Sequence, residues 1–305
     1  MQKLLVIGCG DVAMRAMPLL VRRYRVYALL RSADAALRAR LRALGVTPLS
    51  GDLDRPASLR RISGLADVVL HCAPPPQQGA TDSRTRHLIA ALRRGASLPR
   101  RLVYISTSGV YGDCQGALVN ETRPVAARSA RGIRRVDAER QLRRWGRRGG
   151  PRLSILRAPG IYAADRLPLE RIRRGDPVLN FDEDVITNHI HADDLARCVL
   201  AALHRGRAQR IYHASDDTHD MNGTGLRMAD WFDAVADAFA LPHPRRVSRA
   251  EAAGELAPMV LSFMNESRRL DNTRIKRELQ LRLTYPDVSA GLAAICSQGN
   301  PSCSG

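Results

Sequence analysis

Val6-Ile7-Gly8-Cys9-Gly10-Asp11-Val12-Ala13 is the stretch that decides the fold. The apolar run Leu4 to Ile7 leads into a G-x-G-x-x-A turn, and a segment of helical spacing follows it. In that strand-turn-helix setting each small residue has a physical task. Gly8 permits a tight turn, Gly10 lets backbone amides approach a pyrophosphate, and Ala13 permits close packing of helix on strand. Gly8, Gly10, Asp11, Val12 and Ala13 are therefore expected to cradle the phosphates of a dinucleotide.

Working outward, Arg25 to Leu30, Val46 to Leu49, Asp67 to His71, Arg101 to Ser106 and Arg152 to Leu156 read as further strands. The segments between them carry apolar residues at helical spacing, such as Leu37, Leu41 and Leu44. This alternation predicts parallel β-α units and a doubly wound α/β sheet. Pro18 lies inside the first helical segment and is expected to kink it. Beyond Pro159 the pattern becomes irregular, with a helix around Leu167 to Arg174, a strand near Ile186 to His191, a helix from Asp194 to Leu203 and a strand from Arg210 to His213. Gly225 to Ile295 is mostly helical. The expected organisation is a dinucleotide-binding domain over 1–160, its sheet completed by 186–215. Residues 161–185 and 216–296 would form a smaller, mostly helical substrate lobe over the strand carboxyl ends, and 297–305 a disordered tail.

The strand ends carry further expectations. An acidic side chain after the second strand selects NAD through the ribose 2′-hydroxyl, whereas a basic one accommodates the 2′-phosphate of NADP. Here Arg31 follows Ala28-Leu29-Leu30, and the nearest acid, Asp34, reads as a helix cap. NADP is expected ahead of NAD. After the third strand, Asp52 is placed to accept from an adenine amine, with Leu53 beside it; its alternative role is a turn or cap. Cys72, Ala73 and Pro74 follow the fourth strand and face the same cleft, while His71 reads as a strand-end residue.

Composition bounds the function. The formal net charge is +18, yet of 48 basic residues all but Lys3 and Lys276 are Arg. A phosphate-binding surface has no reason to exclude lysine, so the skew points to the base composition of the genome, and no specific nucleic-acid partner is expected. The run from Arg131 to Arg152 reads as the solvated face of one helix. No stretch approaches the roughly 18 apolar residues of a membrane span, and six scattered cysteines show neither a disulfide framework nor a C-x-x-C zinc pattern. A cytoplasmic location is the expectation.

Taken together, Gly8-x-Gly10, Gly51-Asp52-Leu53, Tyr104-Ile105-Ser106-Thr107-Ser108-Gly109-Val110-Tyr111-Gly112, Leu156-Arg157-Ala158-Pro159-Gly160-Ile161-Tyr162 and His191-Ala192-Asp193-Asp194-Leu195-Ala196 resemble an extended short-chain dehydrogenase/reductase. The subgroup most similar is the NAD-dependent epimerase/dehydratase one, and Asn272 to Leu279 with Tyr285-Pro286 resembles its closing segment. The resemblance implies a Rossmann-type sheet, a nicotinamide cofactor touched also by Thr107 and Pro159, and Thr107 at the catalytic Ser/Thr position. It also implies a Tyr-x-x-x-Lys dyad ahead of Ala138-Glu139, where this sequence has Arg131 and Arg135. A guanidinium is not deprotonated at any relevant pH, so the resemblance is to an atypical branch without the standard proton donor. Tyr111 is then the alternative donor, with packing as its competing role. His189 and His191 with Asp193 and Asp194 suggest a metal only superficially; the expected role of Asp193 or Asp194 is a helix N-cap, and no metal is expected.

Two readings follow. In the first the chain is a non-standard oxidoreductase or epimerase-like enzyme acting on a small polar or anionic substrate, bound by Arg131 and Arg135. In the second it is a catalytically silent NADP-binding sensor or regulatory module.

Overall fold

The computed structural model describes residues 1–31 and 34–297. The apolar runs condense into seven strands: β1 (Lys3–Ile7), β2 (Arg25–Leu30), β3 (Thr47–Ser50), β4 (Val68–His71), β5 (Arg101–Thr107), β6 (Arg152–Ala158) and β7 (Arg210–His213). They form one sheet in the order β7-β6-β5-β4-β1-β2-β3, and every pair in it is parallel. Strand order reverses at β1, which has β2 on one side and β4 on the other. The register sets Ile7 opposite both Leu29 and His71, so the turns after these three strands open side by side at the switch point where such sheets take ligands.

Helices cover both faces, which is why the strands read as continuous apolar runs rather than alternating ones. On one face Leu4, Val6, Leu70 and Val103 pack with Ala13, Met17 and Leu20 of α1 (Asp11–Leu20) and with Leu195 and Val199. The opposite face joins Leu5, Ile7, Val69 and Tyr104 to Leu88 and Leu92 of α3 (Ser83–Leu92) and to Ala138, Leu142 and Trp145 of α4 (Ala130–Arg147). Between these, α2 (Ala35–Ala43) follows β2, capped by Asp34, whose side chain accepts from Leu37 N. Helix α1 runs on through Pro18 to Leu20; the missing N–H falls in its last turn, where little helix remains to lose.

After β6, the short helix α5 (Leu169–Arg173), the long helix α6 (Ala192–Arg205) and α7 (Met228–Ala238) follow. Next come α8 (Arg249–Glu255), α9 (Pro258–Phe263), α10 (Thr273–Leu279) and α11 (Val288–Ser297). Of the stretch 186–215, only β7 extends the central sheet. Ile186–Thr187 pairs antiparallel with Leu226–Arg227, and His189–His191 pairs parallel with Gly160–Tyr162. Tyr162, Trp231, Phe232, Val235, Val288 and Leu292 form a separate buried cluster that gives the C-terminal part its own core. Of the expected tail, Ser297 closes α11 and 298–305 lies outside the described residues. No helix among the described residues is long and apolar enough to cross a membrane.

Candidate functional site

The turn after β1 is shaped by a backbone approach. Gly8 has φ +88°, and a Cβ on it would lie 2.6 Å from Ala73 N and 2.7 Å from Ala73 Cα. Only glycine allows this contact, which presses the turn against Ala73. Gly10 is the N-cap of α1 and provides no side-chain hydrogen bond, and a Cβ on it would meet nothing within 4 Å. The first amides of α1 thus open onto free space, with the partial positive charge of a helix N-terminus behind them. Such an arrangement fits a pyrophosphate. Asp11 is the one acidic group in that first turn, and Arg15 (2.8 Å) and Arg166 (3.0 Å) neutralise it. Burial raises its pKa, but hydrogen bonds and charge from the two arginines more than offset this and leave it below the ordinary value. Val12 and Ala13 continue the turn, Ala13 fully buried against the sheet.

At the end of β2, Arg31 is exposed and forms no ion pair among the described residues. Asp54, on which the charge of Arg31 also acts, is held by Arg84 through two hydrogen bonds of 2.8 and 2.7 Å, and Arg84 also reaches the carbonyl of Pro74. Asp52 takes the turn role in part: its Oδ1 accepts from Asp54 N at 2.9 Å. Leu53 is buried, and its carbonyl bonds the His87 ring at 2.7 Å. Burial pushes the Cys9 thiol up to about 12 and raises Cys72 as well, so both are protonated, apolar groups packed against the core of the sheet. His71 is fully buried, bonded to Thr85 Oγ1 at 3.0 Å, and burial pushes its pKa down to about 3. It is a structural strand-end histidine.

Thr107 ends β5, and its Oγ1 accepts from Gly109 N at 3.2 Å. A Cβ on Gly109 would lie 3.6 Å from Thr107 Oγ1 and 3.7 Å from Glu266 Oε2, so a hydroxyl and a carboxylate flank this glycine. Glu266 is anchored by Arg268 Nη1 (3.0 Å), which also donates to Gly112 O (2.7 Å). The start of α4 packs here too: a Cβ on Gly132 would be 2.9 Å from Gly109 O. Arg131, beside it, is exposed. Arg135 is buried, with Nη1 donating to Tyr104 OH (2.8 Å) and Ile105 O (2.9 Å). Pro159 follows β6 at the same edge of the sheet.

Tyr111 points elsewhere. It is 1% exposed, and its hydroxyl meets His213 Nε2 at 2.6 Å. His213 Nδ1 faces the carbonyl of Asp271 at 2.9 Å and must carry the proton there, so Nε2 accepts from Tyr111. The Arg157 guanidinium lies 4.7 Å from the Tyr111 ring and is itself paired with Glu139 (Nη2–Oε2 2.6 Å), to which Ser106 also donates at 2.6 Å. Burial holds His213 down near 3 and pushes Tyr111 up to about 12. The hydroxyl of Tyr111 is committed to this buried network.

The histidine pair of the sequence His189-Ile190-His191 also resolves. His191, rather than Asp193 or Asp194, is the N-cap of α6: its Nδ1 accepts from Asp193 N at 3.2 Å. Asp194 is drawn inward instead, where its carboxylate accepts from Thr284 N and Tyr285 N at 2.8–3.0 Å. His189 stacks 4.4 Å from Trp231. Among the described residues no group of three His, Cys, Asp or Glu side chains is arranged to hold a metal.

Glu266 and Arg268 carry no motif in the sequence. They reach the β5 end because Ser267 N bonds Asp113 Oδ1 and Arg268 bonds Gly112, contacts across more than 150 residues.

The doubly wound parallel sheet with its glycine turn defines a Rossmann-type α/β protein. The chain belongs to the NAD dependent epimerase/dehydratase family, whose model matches residues 15–215. Among curated relatives, a 4-hydroxy-2-methyl-3-oxo-4-farnesyl-3,4-dihydroquinoline-1-oxide ketoreductase from Stigmatella aurantiaca is 28% identical over 225 residues, which take in 68% of this chain and 66%, just under two thirds, of that protein. Among solved structures, a functionally unknown conserved protein from Silicibacter pomeroyi DSS is 28% identical with a TM-score of 0.79, covering 98% of this chain and 100% of that one. A UDP-glucose 4-epimerase from Thermotoga maritima, solved with UDP-glucose, shares the fold at 18% identity and a TM-score of 0.76, covering 97% of each chain.

Proposed function

We propose that this chain is a nicotinamide-dinucleotide-dependent oxidoreductase or epimerase-like enzyme that prefers NADP and acts on a small polar, anionic substrate. The observation that carries it is the pairing of the Gly8/Gly10 cradle with an exposed Arg31, without an ion pair among the described residues, at the end of the neighbouring strand. In this reading residues 1–160 with β7 hold the cofactor, and 161–185 with 216–296 close over it. The amides of Gly10, Asp11 and Val12 bind the pyrophosphate, while Ala13 keeps α1 close to the sheet. Arg31 pairs with the 2′-phosphate, Asp52 and Leu53 flank the adenine, and Cys72, Ala73, Pro74 and Pro159 line the path to the nicotinamide. When bound, the nicotinamide supplies hydride chemistry. Thr107 offers a hydroxyl to a substrate oxygen, Arg131 pairs with an anionic group, and Arg135 braces the floor through Tyr104. The ketoreductase relative supports carbonyl reduction as the reaction type.

A second reading has specific support. Neither Arg131 nor Arg135 can release a proton at neutral pH, and the Tyr111 hydroxyl is bonded to His213; both favour a silent NADP-binding sensor. Turnover separates the two: an enzyme consumes NADPH with some member of a carbonyl or sugar-nucleotide panel, whereas a sensor binds it without consumption. The cofactor assignment is tested by titration with NADPH and NADH. NADPH should bind about ten- to a hundredfold more tightly, and Arg31→Ala should abolish the difference. Equal affinities in the wild type would reject the assignment.

A further inference from the structure

The C-terminal half of α4 is lined with arginines that form no ion pair among the described residues. Arg140, Arg143, Arg144 and Arg147 fall at helical spacing on one stripe, with Arg148 just beyond, and together with Arg157 of β6 they border a groove of about 670 Å³. This groove runs from the middle of α4 toward its end, away from the glycine turn. Arg15, Arg84, Arg166 and Arg210 each meet a carboxylate. Here Arg140, Arg143, Arg144, Arg147 and Arg148 form no ion pair among the described residues. The one acid in the groove wall, Glu139, is bonded to Arg157 and Ser106. Asp137, the other acid of the helix, lies on the α3 side, where it accepts from Asp82 N and Gln141.

Like charges at i,i+4 repel, and this helix sets Arg140 against Arg144, Arg143 against Arg147 and Arg144 against Arg148. Burial first, and then the charge of the neighbouring Arg147 and Arg157, pushes the Arg143 pKa below its ordinary value, with Glu139 offsetting part of the shift. The partial negative charge at the helix C-terminus amounts to about half an elementary charge and relieves only part of the repulsion. A bound anion of high charge density would relieve the rest. Arg140 to Arg147 spans about 10 Å at 1.5 Å per residue, which suits a ligand bearing several anionic groups in a row better than a single carboxylate. Guanidinium forks match phosphoryl oxygens in geometry as well as charge.

We propose that the α4 groove binds an oligophosphate, a linear run of phosphoryl groups either free or carried by a nucleotide, at a site separate from the strand carboxyl ends. The proposal does not depend on the cofactor reading. It is tested by isothermal titration calorimetry of the full chain with inorganic tripolyphosphate and, in a second arm, adenosine triphosphate. Wild-type protein should show saturable binding that weakens as salt rises from about 0.05 to about 0.2 M. Arg143→Ala/Arg147→Ala should weaken it about ten- to a hundredfold, while Arg22→Ala/Arg23→Ala, equally charge-reducing and exposed at the far end of α1, should leave it unchanged. Tighter binding of tripolyphosphate identifies the free chain as the ligand, and tighter binding of adenosine triphosphate the nucleotide-borne one. No saturable binding at about millimolar ligand, or equal loss in both double variants, would overturn the site. A duplex oligonucleotide that displaces tripolyphosphate and binds far more tightly would replace the oligophosphate with a nucleic-acid backbone.

Discussion

Gly8→Ala and Gly45→Ala form a matched pair that isolates what the close approach at the glycine turn contributes. Both glycines have positive φ, +88° and +78°, but a Cβ on Gly45 meets nothing within 4 Å whereas one on Gly8 meets Ala73 N at 2.6 Å and Ala73 Cα at 2.7 Å. Left-handed backbone costs an alanine roughly 1–2 kcal/mol, and that is the whole expected effect at Gly45. At Gly8 the obstructing atoms are backbone and cannot swing aside, so an overpacking cost of about 1–3 kcal/mol adds to it. The totals are roughly 1–2 kcal/mol for Gly45→Ala and roughly 2–5 kcal/mol for Gly8→Ala. With an unfolding entropy of about 2.1 cal/mol/K per residue over about 300 residues, these convert to about 2–3 °C and about 3–8 °C in Tm. Thermal unfolding followed by circular dichroism reads both, and NADPH titration should show weakened binding in Gly8→Ala alone. A Gly8→Ala protein no less stable than Gly45→Ala, with unchanged NADPH affinity, would refute the reasoning.

The buried histidines make stability pH-dependent. His71, His189 and His213 are each held near 3 against an ordinary 6.5, so below about pH 6.5 the unfolded chain binds protons the native one does not. Their stabilisation is complete above that pH and declines as pH falls toward 3, by at most about 1.4 kcal/mol per unit for each histidine. Buried Asp216, whose pKa is raised by desolvation, acts in the opposite sense and offsets part of the loss; urea unfolding at a series of pH values should show the net fall, and a flat profile would contradict it. Glu139→Ala leaves Arg157 buried without its carboxylate and should cost about 3–5 kcal/mol, measured as a shift in the urea midpoint, while Glu139→Met/Arg157→Met should recover most of it. Tyr111→Phe strands the Nε2 acceptor of His213 and should cost about 1–3 kcal/mol while leaving any turnover intact; turnover abolished in a folded Tyr111→Phe protein would make Tyr111 the proton donor.

The parts legible in the sequence are those encoded locally. Leu4 to Ile7 ahead of Gly8-x-Gly10, and the runs that became β2, β4 and β5, carry their burial as largely apolar stretches, so most strand positions and the fold class could be read directly. The exposure of Arg31 follows from its place just past a strand end. What could not be read depends on tertiary contacts. His191 rather than Asp193 caps α6 because Asp194 is pulled inward by the amides of Thr284 and Tyr285, about 90 residues away. Glu266 stands beside Thr107 only because Arg268 reaches Gly112. Helical spacing showed an arginine stripe on α4, but whether it was solvated or grooved depended on how β6 lays Arg157 beside it.

The most direct test of the central claim is the fluorescence of NADPH titrated with freshly purified protein. A blue-shifted, saturable signal that NADP displaces efficiently, NAD displaces poorly and Gly8→Ala weakens is the result expected from the glycine turn and Arg31. A signal that never saturates, or one unaffected by Gly8→Ala and displaced equally by NAD, would contradict it.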